Sequence, residues 1–85
     1  MSAQIAHRVL EIFQRWSAPS MEYGLTERER EVLRLLVEGL GQKQIAARLA
    51  LSQHTVNSHI RNIYAKLHVH TRTTAVAKAL NERLV

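Results

Sequence analysis

Acidic residues are missing from about half of this chain. No carboxylate side chain lies between Glu38 and Glu82, and aspartate is absent from the whole sequence. The basic side chains of the same stretch are Lys43, Arg48, Arg61, Lys66, Arg72, Lys78, His54, His59, His68 and His70. A segment with bases and no acids is expected to face a negative partner, most often nucleic-acid phosphate. A basic surface without a partner is the alternative.

Cysteine is also absent, and the chain has only three glycines and one proline. Without cysteine there is neither a disulfide framework nor a thiolate metal site, which fits a cytoplasmic location. No apolar run approaches the ~20 residues of a membrane span, so no membrane partner is expected. Hydrophobic residues make up 46% of the chain, and they recur at helical spacing. The sequence therefore predicts an all-α protein.

Catalytic and ligand-binding patterns are missing as well. The chain has no Ser/His/acid set and no glycine-rich phosphate loop. His68 and His70 could hold a metal ion, but no third ligand is near them in sequence. We therefore expect no enzyme activity, no metal, no cofactor and no small-molecule ligand in this chain.

A short linker divides the chain, because Pro19 disfavours helix at Ala18 and has small polar neighbours. Residues 1–24 carry no net charge, whereas residues 25–85 hold ten bases against five acids. Within residues 4–16, apolar side chains repeat at the spacing of an amphipathic helix. That helix packs on its own domain or pairs with its copy in a second subunit. A membrane-surface role is a third reading, although the Lys/Arg excess typical of such helices is missing.

Four helices are predicted in residues 25–85. Thr26 and Glu29 have the spacing of a capping box at the start of the first helix, and Gly39 suits its end. Ser52 can cap the third helix. The approximate bounds are residues 26–38, 42–50, 53–67 and 73–83.

The third of these helices has three distinct faces. The apolar stripe is Val56, Ile60, Ile63 and Leu67. The opposite side is His54, Ser58, Arg61 and Ala65, with Asn57 beside them, and one flank is Thr55, His59, Asn62 and Lys66. A DNA major groove about 12 Å wide admits such a helix, so Arg61 can reach guanine and Asn57 can reach adenine. Donors on the flank can hold phosphates.

A dense set of motif residues extends through residues 25–85. They include Leu25, Thr26, Glu29, Val32, Leu33, Gly39, Lys43, Ile45, Ala46, Leu49, Ser52, Thr55, Val56, His59, Ile60, Ile63, Lys66, Leu67, Val69 and Arg72. In these residues the chain resembles the DNA-binding domain of the LuxR/GerE family of bacterial transcription regulators. The resemblance implies a tetrahelical helix-turn-helix that binds double-stranded DNA as a homodimer to regulate transcription. Its recognition helix, about residues 53–67, would enter the major groove.

The resemblance also assigns roles to single positions. Family members commonly read bases at the positions of Asn57, Ser58 and Arg61. They commonly touch the DNA backbone at the positions of Lys43, Gln53, Thr55, His59 and Lys66. The chain departs from the family pattern at two places: Gly41-Gln42-Lys43-Gln44 replaces the usual serine or threonine followed by Asn-Lys-Glu, and Asn57 replaces a residue that is often basic. The second departure places more of the base reading on Arg61.

The fourth helix is apolar over roughly half of its circumference, which exceeds the stripe that one small core needs. We therefore expect a homodimer contact on this helix, formed by Val76, Ala77, Leu80 and Leu84. The N-terminal helix could add to that contact.

Two other functions are compatible with a helix-turn-helix. One is a promoter-binding domain like that of a sigma factor, which the short chain and the fourth helix disfavour. The other is a protein-interaction module that titrates another regulator, which the intact Thr55, His59, Arg61 and Lys66 disfavour. The chain is either a complete stand-alone regulator or the C-terminal part of a larger one, and the sequence supports both.

Overall fold

The computed structural model describes residues 23–85, which form four α-helices and no strand. The helices are α1 (Glu27–Val37), α2 (Gln42–Leu49), α3 (Gln53–Leu67) and α4 (Arg72–Asn81). The predicted all-α fold is confirmed. The N-terminal amphipathic helix was predicted in a part of the chain that lies outside the described residues.

Helix α1 begins and ends as its sequence predicts. The Thr26 side chain accepts a hydrogen bond from the Glu29 amide (3.1 Å), and the Thr26 amide donates to Glu29 Oε1 (2.9 Å). After the helix, Gly39 adopts φ +97°, and the Leu40 amide donates back to the Leu35 carbonyl (3.1 Å). Glycine suits this position because side-chain-bearing residues rarely adopt a positive φ.

The connection between α2 and α3 is a three-residue turn. Ala50 ends α2 in the left-handed conformation with φ 56°, and the Leu51 amide donates to the Ala46 carbonyl (2.9 Å). Ser52 then caps α3 by accepting from the Thr55 amide (3.0 Å). An alanine in the left-handed region carries backbone strain, because its Cβ approaches a carbonyl oxygen.

All four helices contribute to a single core in residues 23–85. The buried apolar residues are Leu25, Val32, Leu33, Leu35, Leu36, Ile45, Ala46, Val56, Ile63, Leu67, Ala75, Ala79 and Leu84. Helix α3 packs against both α1 and α2, while α4 packs mainly on α1. The apolar stripe of α3 is therefore enclosed, although Ile60 remains partly exposed.

Two basic side chains attach α4 to the other helices. The Arg72 guanidinium donates from Nη2 to the carbonyls of Leu36 (3.0 Å) and Leu40 (2.6 Å) at the end of α1. Lys78 Nζ donates to the Leu67 carbonyl (2.8 Å) at the end of α3. Cations at helix C-termini satisfy carbonyls that lack intrahelical partners and complement the helix dipole.

Across residues 23–85, no helix combines the length and the apolar character that crossing a membrane requires.

Candidate nucleic-acid interface

The outward face of α3 is fixed by the burial of its inward face. Val56, Ile63 and Leu67 are fully buried, which sets the rotation of the helix about its axis. As a result Ser58 and Arg61 are exposed, and Asn57 beside them is half-buried. The structure therefore brings the three predicted base-contacting residues onto one accessible side of α3.

The start of α3 is held by a contact that the sequence did not reveal. Gln42 Nε2, in the first turn of α2, donates to the Gln53 carbonyl in the first turn of α3 (2.8 Å). This hydrogen bond fixes the angle between the two helices at the end where both N-termini lie. Glutamine at a helix start carries no distinctive sequence signal, so only the structure identifies the role of Gln42.

Four of the five predicted backbone-contacting residues lie near these N-termini or on the exposed flank of α3. Lys43 and Gln53 are exposed, whereas Thr55 and His59 are half-buried. The Thr55 hydroxyl accepts a hydrogen bond from the Ser52 hydroxyl (2.9 Å), which orients it. Helix N-termini favour phosphate because their backbone N–H groups and dipoles point toward it. The arrangement is suited to holding a DNA backbone beside α3.

The fifth predicted backbone contact, Lys66, is bound within the chain. Its Nζ donates to Glu29 Oε1 (2.6 Å) and to the Gly24 carbonyl (3.0 Å). A contact between Lys66 and a DNA phosphate would require the ammonium group to leave or share the Glu29 carboxylate. The charge pattern could not show this, because Glu29 and Lys66 are far apart in sequence.

Glu29 is a buried carboxylate, with its side chain only 4% exposed. Burial by itself raises the pKa of this carboxyl group. The hydrogen bonds from Lys66 and Thr26, together with the positive charge of Lys66, outweigh burial and hold the pKa below its ordinary value. Glu29 therefore stays ionised and links the start of α1 to α3.

The bases of the acid-free stretch thus divide into two sets. Lys66, Arg72 and Lys78 bind carbonyl or carboxylate oxygens of their own chain. In the described part of the chain, Lys43, Arg48 and Arg61 are exposed and make no such bond. Within the acid-free stretch, the lysine and arginine side chains available to a partner therefore lie on α2 and α3. No three metal-ligating side chains of residues 23–85 lie close enough to hold an ion.

Helix α4 presents an apolar surface next to the end of α1. Leu80 is 58% exposed, Ala77 is exposed and Val76 is half-buried. These three residues, with Leu36, Gly39, Arg72 and Thr73, line a groove of about 460 Å³. The groove is a surface against which a second helix can pack.

The assignment of Leu84 to this surface is wrong. Helix α4 ends at Asn81, and Arg83 reverses the chain with φ 53°. The Leu84 amide then donates to the Ala79 carbonyl (2.9 Å), and its side chain is 2% exposed within the core. A helical-wheel projection that continues α4 to residue 84 therefore places Leu84 on the exposed apolar side, whereas it lies in the core.

The helix-turn-helix fold and the exposed polar side of α3 define the class of the molecule, a helix-turn-helix DNA-binding domain. Residues 23–79 match the family described as "Bacterial regulatory proteins, luxR family". Because the match covers more than half of the chain, the chain belongs to the LuxR family, as the motif residues predicted. It is a DNA-binding domain of the transcription-regulator class.

Two related proteins and one solved structure agree with this assignment. The chain is 49% identical over 59 residues to the nitrate/nitrite response regulator protein NarP of Escherichia coli, covering 69% of this chain and 27% of NarP. It is 38% identical over 86 residues to the uncharacterized transcriptional regulatory protein YhcZ of Bacillus subtilis, covering 99% of this chain and 40% of YhcZ.

The crystal structure of the response regulator ChrA, from a heme-sensing two-component system, is similar in fold. It superposes with a TM-score of 0.70 at 44% identity, covering 73% of this chain and 31% of ChrA. The chain thus spans less than half the length of each of these three proteins.

Proposed function

We propose that the chain binds double-stranded DNA sequence-specifically as a homodimer and thereby regulates transcription. Helix α3 enters the major groove, where Asn57, Ser58 and Arg61 contact base edges. Arg61 donates to guanine O6 and N7, and Asn57 pairs with adenine.

The observation that carries this proposal is the exposed polar side of α3. Ser58 is small enough to allow close approach of the helix backbone to the bases, and Arg61 is the nearest long donor. No hydrogen bond within the described residues occupies the Arg61 guanidinium, so its donors are available to a partner. Helix α3 also carries no acidic side chain, whereas an ordinary solvated helix face mixes charges of both signs.

The DNA backbone contacts in this proposal come from Lys43, Gln53, Thr55 and His59. Lys43, Gln53 and Thr55 lie in the first turns of α2 and α3, and His59 lies on the flank of α3. These contacts set the register of α3 in the groove but carry no sequence information. Lys66 remains a weaker candidate, because its ammonium group already binds Glu29.

The dimer in this proposal forms through Val76, Ala77 and Leu80 of α4. Two copies related by a two-fold axis bring the same apolar surface together, as expected for a symmetric dimer. The two α3 helices then contact half-sites about one DNA turn apart, roughly 34–36 Å. The target is therefore an inverted repeat.

Selection from a random duplex pool, followed by affinity measurements across a salt series, tests the proposal. We expect enrichment of an inverted repeat and an affinity that falls steeply with salt, because bound cations are released from the phosphates. Arg34→Ala, which removes an exposed arginine of α1, is the control and should select the same sequence. Absence of duplex binding at low salt would refute the proposal and favour the protein-interaction module.

A further inference from the structure

A basic cavity lies beyond the base-reading residues, at the C-terminal end of α3. It has a volume of about 450 Å³ and is lined by Arg61, Tyr64, Ala65, His68, Val69 and His70. No carboxylate lines it. Arg61 belongs both to this cavity and to the base-reading side of α3, so the cavity continues the proposed interface.

Every polar side chain of this cavity can donate a hydrogen bond. His68 and His70 are exposed, and their imidazoles form no hydrogen bond or ion pair within the described residues. Arginine is permanently charged, and an imidazole offers an N–H donor in its neutral form and two when protonated. A cavity with these groups and no acid is suited to an anion with several oxygen acceptors.

The C-terminal end of a helix normally repels anions, because its last carbonyls carry partial negative charge. Here three of the last four carbonyls of α3 accept hydrogen bonds from outside the helix. The carbonyls of Tyr64 and Ala65 accept from the amides of Val69 (3.0 Å) and His68 (3.3 Å). The Leu67 carbonyl accepts from Lys78 Nζ (2.8 Å), which also brings a positive charge. The repulsion is thereby reduced.

We propose that this cavity binds one phosphate of the DNA backbone at the edge of the recognised groove, an inference that rests on the proposed function. Arg61, Ala65 and His68 follow one another along the same side of α3. At 1.5 Å per residue, His68 lies about 10 Å beyond Arg61 along the helix axis. In helix-turn-helix complexes the N-terminal residues of the recognition helix contact the base edges, so the C-terminal end of α3 lies toward the phosphates that border the groove. His68 and His70 hold that phosphate and limit how far α3 slides.

Single phosphates of the selected duplex can be tested by replacing each in turn with a neutral methylphosphonate. For the unaltered protein we expect one flanking linkage at which the replacement weakens binding about three- to tenfold, as for loss of a charge-assisted hydrogen bond. The double variant His68→Gly/His70→Ala removes both imidazoles. Glycine at position 68 accommodates the left-handed backbone found there, so circular dichroism should be unchanged.

The double variant should bind the unmodified selected duplex about three- to tenfold more weakly than the unaltered protein does. It should lose no further affinity when the one flanking phosphate is replaced by methylphosphonate. His54→Ala removes an exposed histidine of α3 outside the cavity and should retain the full effect of that linkage. Equal effects of every neutral linkage in both proteins would overturn the inference. A second result would also overturn it: inorganic phosphate shifts the His68 and His70 NMR signals, but the double variant responds to each neutral linkage as the unaltered protein does. The cavity would then bind free phosphate and not the DNA backbone. No binding of the natural duplex by the unaltered protein would refute the proposed function as well.

Discussion

Lys66 and Glu29 form a salt bridge of 2.6 Å that joins the recognition helix α3 to the start of α1. The carboxylate is almost fully buried, while the lysine side chain is 34% exposed. Glu29 also completes the capping box with Thr26. One glutamate therefore stabilises the first turn of α1 and fixes the position of α3 relative to it.

Glu29→Gln should lower the free energy of unfolding at neutral pH by about 1–3 kcal/mol, because it removes the charge from two hydrogen bonds. The lowered pKa of Glu29 means that its contribution is fully present above the ordinary value of 4.5 and is lost as the pH falls through the folded-state pKa. Urea unfolding from neutral to acidic pH measures both effects. The wild type should lose more stability on acidification than Glu29→Gln.

Glu31→Gln is the matched control for this prediction. Glu31 pairs with Arg28 on the exposed surface of α1 (3.2 Å), and exposed pairs contribute little. This variant should unfold almost like the wild type. If Glu31→Gln were as destabilising as Glu29→Gln, the special role of the buried pair would be refuted.

Ala50→Gly should stabilise the turn between α2 and α3. Left-handed backbone costs a residue with a Cβ about 1–2 kcal/mol, and the greater freedom of glycine in the unfolded chain offsets part of the gain. We expect a net increase of roughly 0.5–1 kcal/mol in the free energy of unfolding, measured by urea denaturation. Ala47→Gly, at an exposed position within α2, should instead lower the free energy of unfolding by about 1 kcal/mol. Equal losses in both variants would contradict the strain at Ala50.

The positions of the helices could be predicted from sequence because their signals are local. Thr26, Gly39 and Ser52 each act within a few residues, and the apolar spacing of α3 correctly gave its buried face. The partners of Lys66 could not be predicted, because they lie on a segment distant in sequence. Leu84 was misplaced because α4 ends at Asn81 and Arg83 then turns the chain with a positive φ, a conformation for which arginine carries no sequence signal.

Arg61→Ala should weaken binding to the selected DNA site by about 1–3 kcal/mol and weaken binding to random DNA much less. Its side chain points away from the core, so circular dichroism and stability should be unchanged. The measurement is a base-preference profile for both proteins. A profile indistinguishable from that of the wild type would remove Arg61 from the base-reading set.

Lys43→Ala and Lys66→Ala should differ, although the charge pattern treats the two lysines alike. Lys43 is exposed and unengaged within the described residues, so its loss should weaken binding to all sequences and reduce the salt slope by about one. Lys66→Ala leaves Glu29 buried without its partner and should lower stability by about 1–3 kcal/mol. Thermal unfolding and salt-dependent affinity separate the two effects. Unchanged stability in Lys66→Ala would show that the salt bridge contributes nothing.

Leu80→Glu and Ala77→Glu should prevent dimerisation on DNA. Each places a charge in the apolar surface of α4, where it would be desolvated against the same residue of a second subunit. The expected result is loss of cooperative binding to the full inverted repeat, with weak binding to one half-site retained, as measured by gel shift on both duplexes.

Thr74→Glu is the matched control for these two variants, because it adds the same charge to an exposed position of α4. There the new carboxylate can replace the Thr74 hydroxyl in the capping box with Thr71, at a helix N-terminus that favours negative charge. Cooperativity should therefore persist in Thr74→Glu. Undiminished cooperativity in Leu80→Glu and Ala77→Glu would place the dimer contact elsewhere in the molecule.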